Sequence, residues 1–308
     1  MDCEHLARSL CEDRVGTMSH RSSHNSSNHS AQGSYWKNNP GATGQWEVAG
    51  LRWLGEAMEA GGARVVRVLE VTGDGFTIES VQPSTPTREA AERFGRALAA
   101  THAYGANSFG ASPLDDLSGR GGHGFQGPND QLLDFPLRPF DSWGEFFATV
   151  CLEPLVDRVR PRMSSGDNAK IDALLERLAA GDFDDGTAPA RIHGDLWSGN
   201  VLWGSISAEG ASENSSGSPD RHADVEGILI DPVAHGGHPE TDLAALDMFG
   251  APHLGAILGA YEDTGQLQPG WRDRVPLHQQ YILWLHAALF GGGYLDQTLA
   301  AVDRALRL

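Results

Sequence analysis

The stretch that decides the reading is RIHGDLWSGNVLW, residues 191–203. It sets His193 and Asp195 one residue apart and follows them, after four residues, with Asn200. A second carboxylate, Asp231, ends the apolar run Ile228-Leu229-Ile230. These residue types at this spacing suit one kind of chemistry. Asp195 can accept a proton from a substrate hydroxyl. Asn200 can turn an amide oxygen toward a hard cation such as Mg²⁺, and Asp231 adds a full negative charge to hold that cation against phosphate oxygens. A lone His-x-Asp is usually a polar loop with an N-capping aspartate. The spaced asparagine and the later Ile-Asp-Pro move the balance to phosphoryl transfer.

The rest of the 308 residues narrows the options by exclusion. There are 23 basic and 41 acidic residues, a net charge of −18. A general nucleic-acid binder needs a basic face to displace counterions, and charge-driven docking to an anionic membrane needs the same. No apolar run approaches the ~20 residues of a membrane span, and MDCEHLARSLCEDRVG lacks the apolar stretch of a secretory signal. Cys3, Cys11 and Cys151 are an odd count without paired spacing. Reduced thiols and a cytoplasmic setting are therefore expected.

Two segments, 19–34 and 205–224, are polar and low in complexity and are expected to be mobile loops. The second separates VLWG from GILIDP, the pattern of a long hairpin loop. Residues 43–60 predict a helix with Val48, Leu51, Leu54 and Met58 on one side. ARVVRVLEV (63–71) and GFTIESV (75–81) flank Thr72-Gly73-Asp74, a hairpin signal. Pro83 and Pro86 interrupt the chain, and Thr87 is a candidate N-cap for a helix bearing Ala91, Phe94, Leu98 and Thr101. Residues 105–141 read as loop, and helical patterns resume at 142–158, 167–180, 240–262 and 275–307. Strands and helices are segregated, so the expected class is α+β. A small β-containing part over 1–82 precedes a larger, mainly helical part over 83–308.

A nucleotide site of this kind also needs a lysine for the α/β-phosphates and a carboxylate to orient it. Lys37 and Glu47 are the candidates, with a solvent-exposed lysine and an ordinary helix carboxylate as the bland alternative. The backbone of Glu79–Val81, in the connection between the two parts, is the candidate for hydrogen bonds to adenine.

The His-x-Asp-x4-Asn pattern followed by a metal-binding Asp is that of the catalytic loop of the protein-kinase fold. More specifically, HGDLWSGN and DPVAHGGHPETDLAAL (231–246) resemble the fructosamine kinase (ketosamine-3-kinase) family. So do YWKNNPGATGQWEVAGLRWL (35–54) and, more weakly, GFQGP (124–128) and SWGEFFATVCLEPL (142–155). The resemblance covers about residues 35–308. It implies a two-lobed protein-kinase-like fold with ATP and Mg²⁺ between the lobes. The activity implied is phosphorylation of the sugar 3-hydroxyl of small or protein-bound ketosamines, which releases the amine and so deglycates. Asp195 would be the base, Asn200 and Asp231 the Mg²⁺ ligands, and Lys37 and Glu47 the phosphate-orienting pair. Trp197 would pack on the sugar; a core tryptophan is the alternative. Asp242 is expected to brace the catalytic loop. His235 and His238 lack further ligands in the sequence, so no metal is expected there. One departure stands out. Where the family has a glycine-containing hairpin over the phosphates, this chain has VGTMSHRSSHNSSNHSAQGS (15–34). Another small-molecule hydroxyl kinase, for an aminoglycoside or choline-like acceptor, and a nucleotide-binding pseudokinase remain as alternatives.

Overall fold

Strand β1 (Ser34–Lys37) and strand β4 (Phe76–Glu79) pair antiparallel, Tyr35 opposite Ile78 and Lys37 opposite Phe76. Strand β3 (Val68–Val71) closes a three-stranded sheet in the order β1-β4-β3. The β3–β4 turn is the hairpin that Thr72-Gly73-Asp74 signals, held by the Thr72 N–H on the Gly75 carbonyl at 2.8 Å. The run 63–71 does not stay whole. Arg64–Val65 forms a separate strand, β2, which joins a second sheet. The computed structural model that shows this describes residues 33–114, 122–128, 131–206 and 225–308. Apart from Gly33, Ser34, Ser205 and Ile206, both polar segments lie outside the described residues, as do Cys3 and Cys11.

The second sheet has the order β2-β10-β9-β5. Strands β9 (Val201–Ile206) and β10 (Glu226–Leu229) are the two arms of the expected long hairpin, antiparallel with Leu202 opposite Ile228. β5 (Val81–Pro83) pairs with β9, and β2 runs parallel to β10. Strands from the first 83 residues thus flank the hairpin that delivers Asn200 and Asp231. The shared core behind them includes Leu51, Leu54, Val65, Ile78, Phe94, Leu98, Ile228 and Leu229.

Helix α1 (Gly41–Gly55) buries Trp46, Val48, Leu51 and Leu54, and a 3₁₀ turn (Glu56–Ala60) continues it. Helix α2 (Arg88–Ala103) starts at Thr87, whose hydroxyl accepts from the Ala90 N–H at 3.1 Å. Where the sequence reads as loop, His123–Gln126 (β6) and Leu133–Pro136 (β7) form an antiparallel hairpin. Its sequence, rich in Gly and Pro, hides an alternation that the core rewards: Gly124 and Gln126, then Leu133 and Phe135, are buried.

The remaining chain is mostly helical: α3 (Trp143–Phe146), a π-helical stretch (Phe147–Leu152), α4 (Glu153–Val159) and α5 (Ser165–Ala179). The expected helix over 240–262 divides into α6 (Pro239–Phe249) and α7 (Leu254–Glu262). That over 275–307 divides into α8 (Trp271–His278), α9 (Gln280–Phe290) and α10 (Tyr294–Ala305). Leu152, Leu155, Ile171, Leu174 and Trp284 make the centre of this second core. Among the described residues no helix is long and apolar enough to cross a membrane.

Candidate active site

Strand β8 (Ala190–Ile192) pairs antiparallel with β11 (His235–Gly237), and the loop from His193 to Trp197 leaves its end. That loop is fixed from below by one carboxylate. Asp242 accepts from the His193 N–H at 2.7 Å and from the Gly194 N–H at 2.9 Å. It also pairs with His102 Nε2 at 3.1 Å, whose Nδ1 meets the Tyr261 hydroxyl at 2.8 Å. Asp242 is 1% exposed. Burial alone raises its pKa, but the hydrogen bonds and charge of His102 outweigh that and hold it below the usual range. The bracing role expected of Asp242 is what its contacts give it. Gly194 has φ +80° and sits so close to the Val233 carbonyl that a Cβ would lie 2.2 Å from it, so the turn demands glycine.

His193 is buried and neutral. Burial lowers its pKa, Nε2–H donates to the Ile230 carbonyl at 2.8 Å, and Nδ1 accepts from the Asp195 N–H at 3.3 Å. It therefore ties the base loop to the strand that ends at Asp231. Asn200, 0% exposed, donates from Nδ2 to both the Asp195 carbonyl (2.8 Å) and Asp195 Oδ2 (2.9 Å). Its Oδ1 is buried and, among the described residues, has no hydrogen-bond partner. Asp231 follows at φ +53°, a left-handed conformation that costs a non-glycine residue about 1–3 kcal/mol and persists only where the surroundings impose it. An orphaned amide oxygen and a strained carboxylate at the ends of one hairpin are a donor set that suits a hard divalent cation.

Lys37 reaches across from β1. Its Nζ makes ion pairs with Glu47 and with Asp231, and Glu47 is steadied by the Asn39 amide at 2.9 Å. Burial pulls the lysine pKa down, but the two carboxylates outweigh it and leave the ammonium above its ordinary value. Lys37, Glu47, Asp195, Trp197 and Asp231 all line one cleft of about 520 Å³. The Trp197 ring folds over Gly199 and meets Phe249 edge-on, centroids 6.0 Å apart. Tyr35, Ile78, Leu202 and Ile230 give part of the cleft an apolar lining.

Glu79 and Val81 are not among the lining residues. The Glu79 N–H donates to the Arg67 carbonyl at 3.0 Å, and its buried carboxylate pairs with Arg64 and Arg67. Val81 pairs with Ile206 in the second sheet. The serines and histidines of 15–32 lie outside the described residues.

Sequence reasoning missed Arg191. It is 7% exposed, stacked between Trp53 (4.2 Å) and Tyr104 (4.5 Å). It donates to the Trp53 carbonyl and pairs with Glu56 at 2.8 Å. A strut thus runs from the end of α1, the helix of Glu47, to the strand that feeds the catalytic loop. The available signal was an arginine between apolar residues of a buried strand, which must find partners. Missed too was the surrounding of His238, which the fold joins to Glu240 and His278 within 4.8 Å. Glu240 is already engaged, both oxygens on Arg274 and one on His278 at 3.2 Å, so the group is a salt-bridge network. His235 lies elsewhere, its Nδ1 bonded to the Val233 carbonyl at 2.7 Å and its pKa pushed down by burial to about 4.

The family model described as Fructosamine kinase matches residues 37–308. A Thermus thermophilus protein named as a probable ketoamine kinase is 30% identical over 83% of this chain and 80% of its own. The mouse protein named Ketosamine-3-kinase is 30% identical over 51% of this chain and 45% of its own. The chain thus spans under half of the mouse protein and four-fifths of the Thermus one. A crystal structure provisionally assigned as a fructosamine-3-kinase, from Thermobifida fusca YX-ER1, superposes with a TM-score of 0.71. It is 36% identical, over 88% of this chain and 82% of the other.

Proposed function

The chain belongs to the fructosamine kinase family, and from that premise we propose that it transfers the γ-phosphoryl group of ATP to a sugar hydroxyl of a ketosamine. The observation that carries the reading is the convergence of Lys37, Glu47, Asp195, Trp197 and Asp231 on one cleft, with the orphaned Asn200 oxygen beside Asp195. In this reading Asp195 takes the proton as the sugar oxygen attacks phosphorus. Asn200 Nδ2 holds one Asp195 carboxylate oxygen and so fixes the direction in which the other can accept that proton. Lys37, oriented by Glu47, steadies the phosphates of the donor. Asn200 Oδ1 and Asp231 would hold Mg²⁺, which when bound neutralises phosphate charge. Trp197 offers an indole face to the C–H face of the sugar. Release of the amine from the labile product would make the reaction a deglycation. A buried free thiol at Cys151 is in keeping with a cytoplasmic setting.

Phosphate transfer from ATP should be measured over a panel of a fructosyl-amine, a ribulosyl-amine, free sugars and an aminoglycoside. The reading expects turnover of the ketosamines above the rest. It also expects Asp195→Asn to lower kcat by about 10²–10⁴ while ATP still binds. Transfer to the aminoglycoside alone, or near-normal turnover by the variant, overturns it.

A further inference from the structure

Trp46 stands beside Glu47 on α1, and both line the cleft. Trp46 is 3% exposed, yet among the described residues its indole Nε1 has no hydrogen-bond partner. Buried indole N–H groups ordinarily find an acceptor, and each one without is a feature to be explained. The ring lies against β6, where a Cβ on Gly124 would stand 2.9 Å from it, so only glycine lets the two meet. Alternation puts Gly124 and Gln126 on the same face of that strand, one pleat apart, and both are buried. Gln126 also lines the cleft. The Tyr281 hydroxyl donates to its Oε1 at 2.6 Å, which turns the amide NH₂ the other way. Trp46 and Gln126 thus bring an indole N–H and a primary amide to the lining of the same cleft, and among the described residues no acceptor takes the first.

We propose that Trp46 and Gln126 hydrogen-bond a hydroxyl oxygen of the acceptor sugar, other than the one phosphorylated, and so help set which sugar the cleft accepts. The proposal rests on the ketosamine reading above. It is assigned to the sugar because the apolar surfaces suited to a flat base, Tyr35, Ile78, Leu202 and Ile230, belong to β1, β4, β9 and the residue that follows β10. Trp46 and Gln126 belong to α1 and β6, other elements of the lining.

The test compares the wild type with Trp46→Phe, which keeps a ring and removes the N–H. The substrates are a turned-over ketosamine and its 4-, 5- and 6-deoxy analogues. The wild type should lose about three- to tenfold in kcat/KM on one analogue, the worth of one neutral hydrogen bond. Trp46→Phe should show that loss on the parent sugar and no further loss on that analogue, with KM for ATP within about twofold. Gln126→Met should erase discrimination at the same hydroxyl, and it gives the same reading if melting shows that Trp46→Phe does not fold. An unchanged deoxy pattern in both variants overturns the proposal, as does an effect confined to KM for ATP, which would assign the donors to the nucleotide. A wild type that turns over no ketosamine fails the functional reading itself, a separate result.

Discussion

Glu240 and Asp242 stand two residues apart at the start of α6, 3% and 1% exposed, and they hold different things. Asp242 spends its oxygens on backbone N–H groups of the catalytic loop and on His102. Glu240 spends its oxygens on side chains, the Arg274 guanidinium and His278, with Asp185 and His238 completing the network. Burial alone raises both carboxyls. Hydrogen bonds outweigh it in each, and those from His278 and Arg274 bring Glu240 down to about 2. Equal burial and equal charge thus serve different ends. A carboxylate bonded to main chain dictates where that chain runs, whereas one bonded to side chains dictates how helices pack. The Glu240 network joins α6 to α8, and the Asp242 set joins α6 to the loop of Asp195.

The sharpest way to break this comparison is Asp242→Asn. An amide must turn its NH₂ toward one of the donors that Asp242 now accepts from. Displacement of the loop by about 1 Å should lower kcat by roughly 10²-fold, with ATP affinity changed far less. A loss of kcat of that size in enzyme that is still folded at the assay temperature would support the division. Unchanged kcat would erase it.

Glu240→Gln should do the reverse. Removing one charge of a buried pair costs about 3 kcal/mol at the low end of its range, or roughly 5 °C of Tm in a chain this long. The kcat of the folded enzyme at low temperature should stay within about twofold. A hundredfold loss would mean that the two carboxylates are one functional unit.

The smallest effect concerns pH. His278 is held neutral, its pKa pushed down by burial to about 4. Above its ordinary 6.5 both folded and unfolded chains carry it neutral. As pH falls below that, the unfolded chain takes up a proton that the folded one refuses, so stability falls through the window from 6.5 to about 4. Glu240, depressed to about 2, adds a loss that begins lower, below its ordinary 4.5. His278→Gln should flatten the slope of stability against pH in the upper window by up to about 1.4 kcal/mol per unit. An unaltered slope between pH 6.5 and 4 would place that titration on other buried histidines.

Legibility followed the distance over which each feature is specified. The β9–β10 hairpin, the Thr87 cap and the Asp195–Asn200 pair are local, and five residues of spacing suffice to bring an amide onto a carboxylate. The β6–β7 hairpin was missed because glycine and proline outvoted an alternation only four residues long on each strand. Arg64–Val65 left the expected hairpin because β10, more than 150 positions away in the chain, offered it a better edge.

The sequence by itself determined the chemistry available: a base, an amide, a second carboxylate and a lysine, spaced as phosphoryl transfer needs them. Tertiary structure alone decided which of them meet. Lys37 touches Asp231 across 194 positions, and Arg191 reaches Glu56 across 135. Trp46 lies against Gly124 of β6, and among the described residues its N–H has no partner. Short spacings fix geometry through the backbone's few allowed dihedrals. Contacts between distant residues are fixed only when burial of the whole core repays the entropy of closing the loops between them.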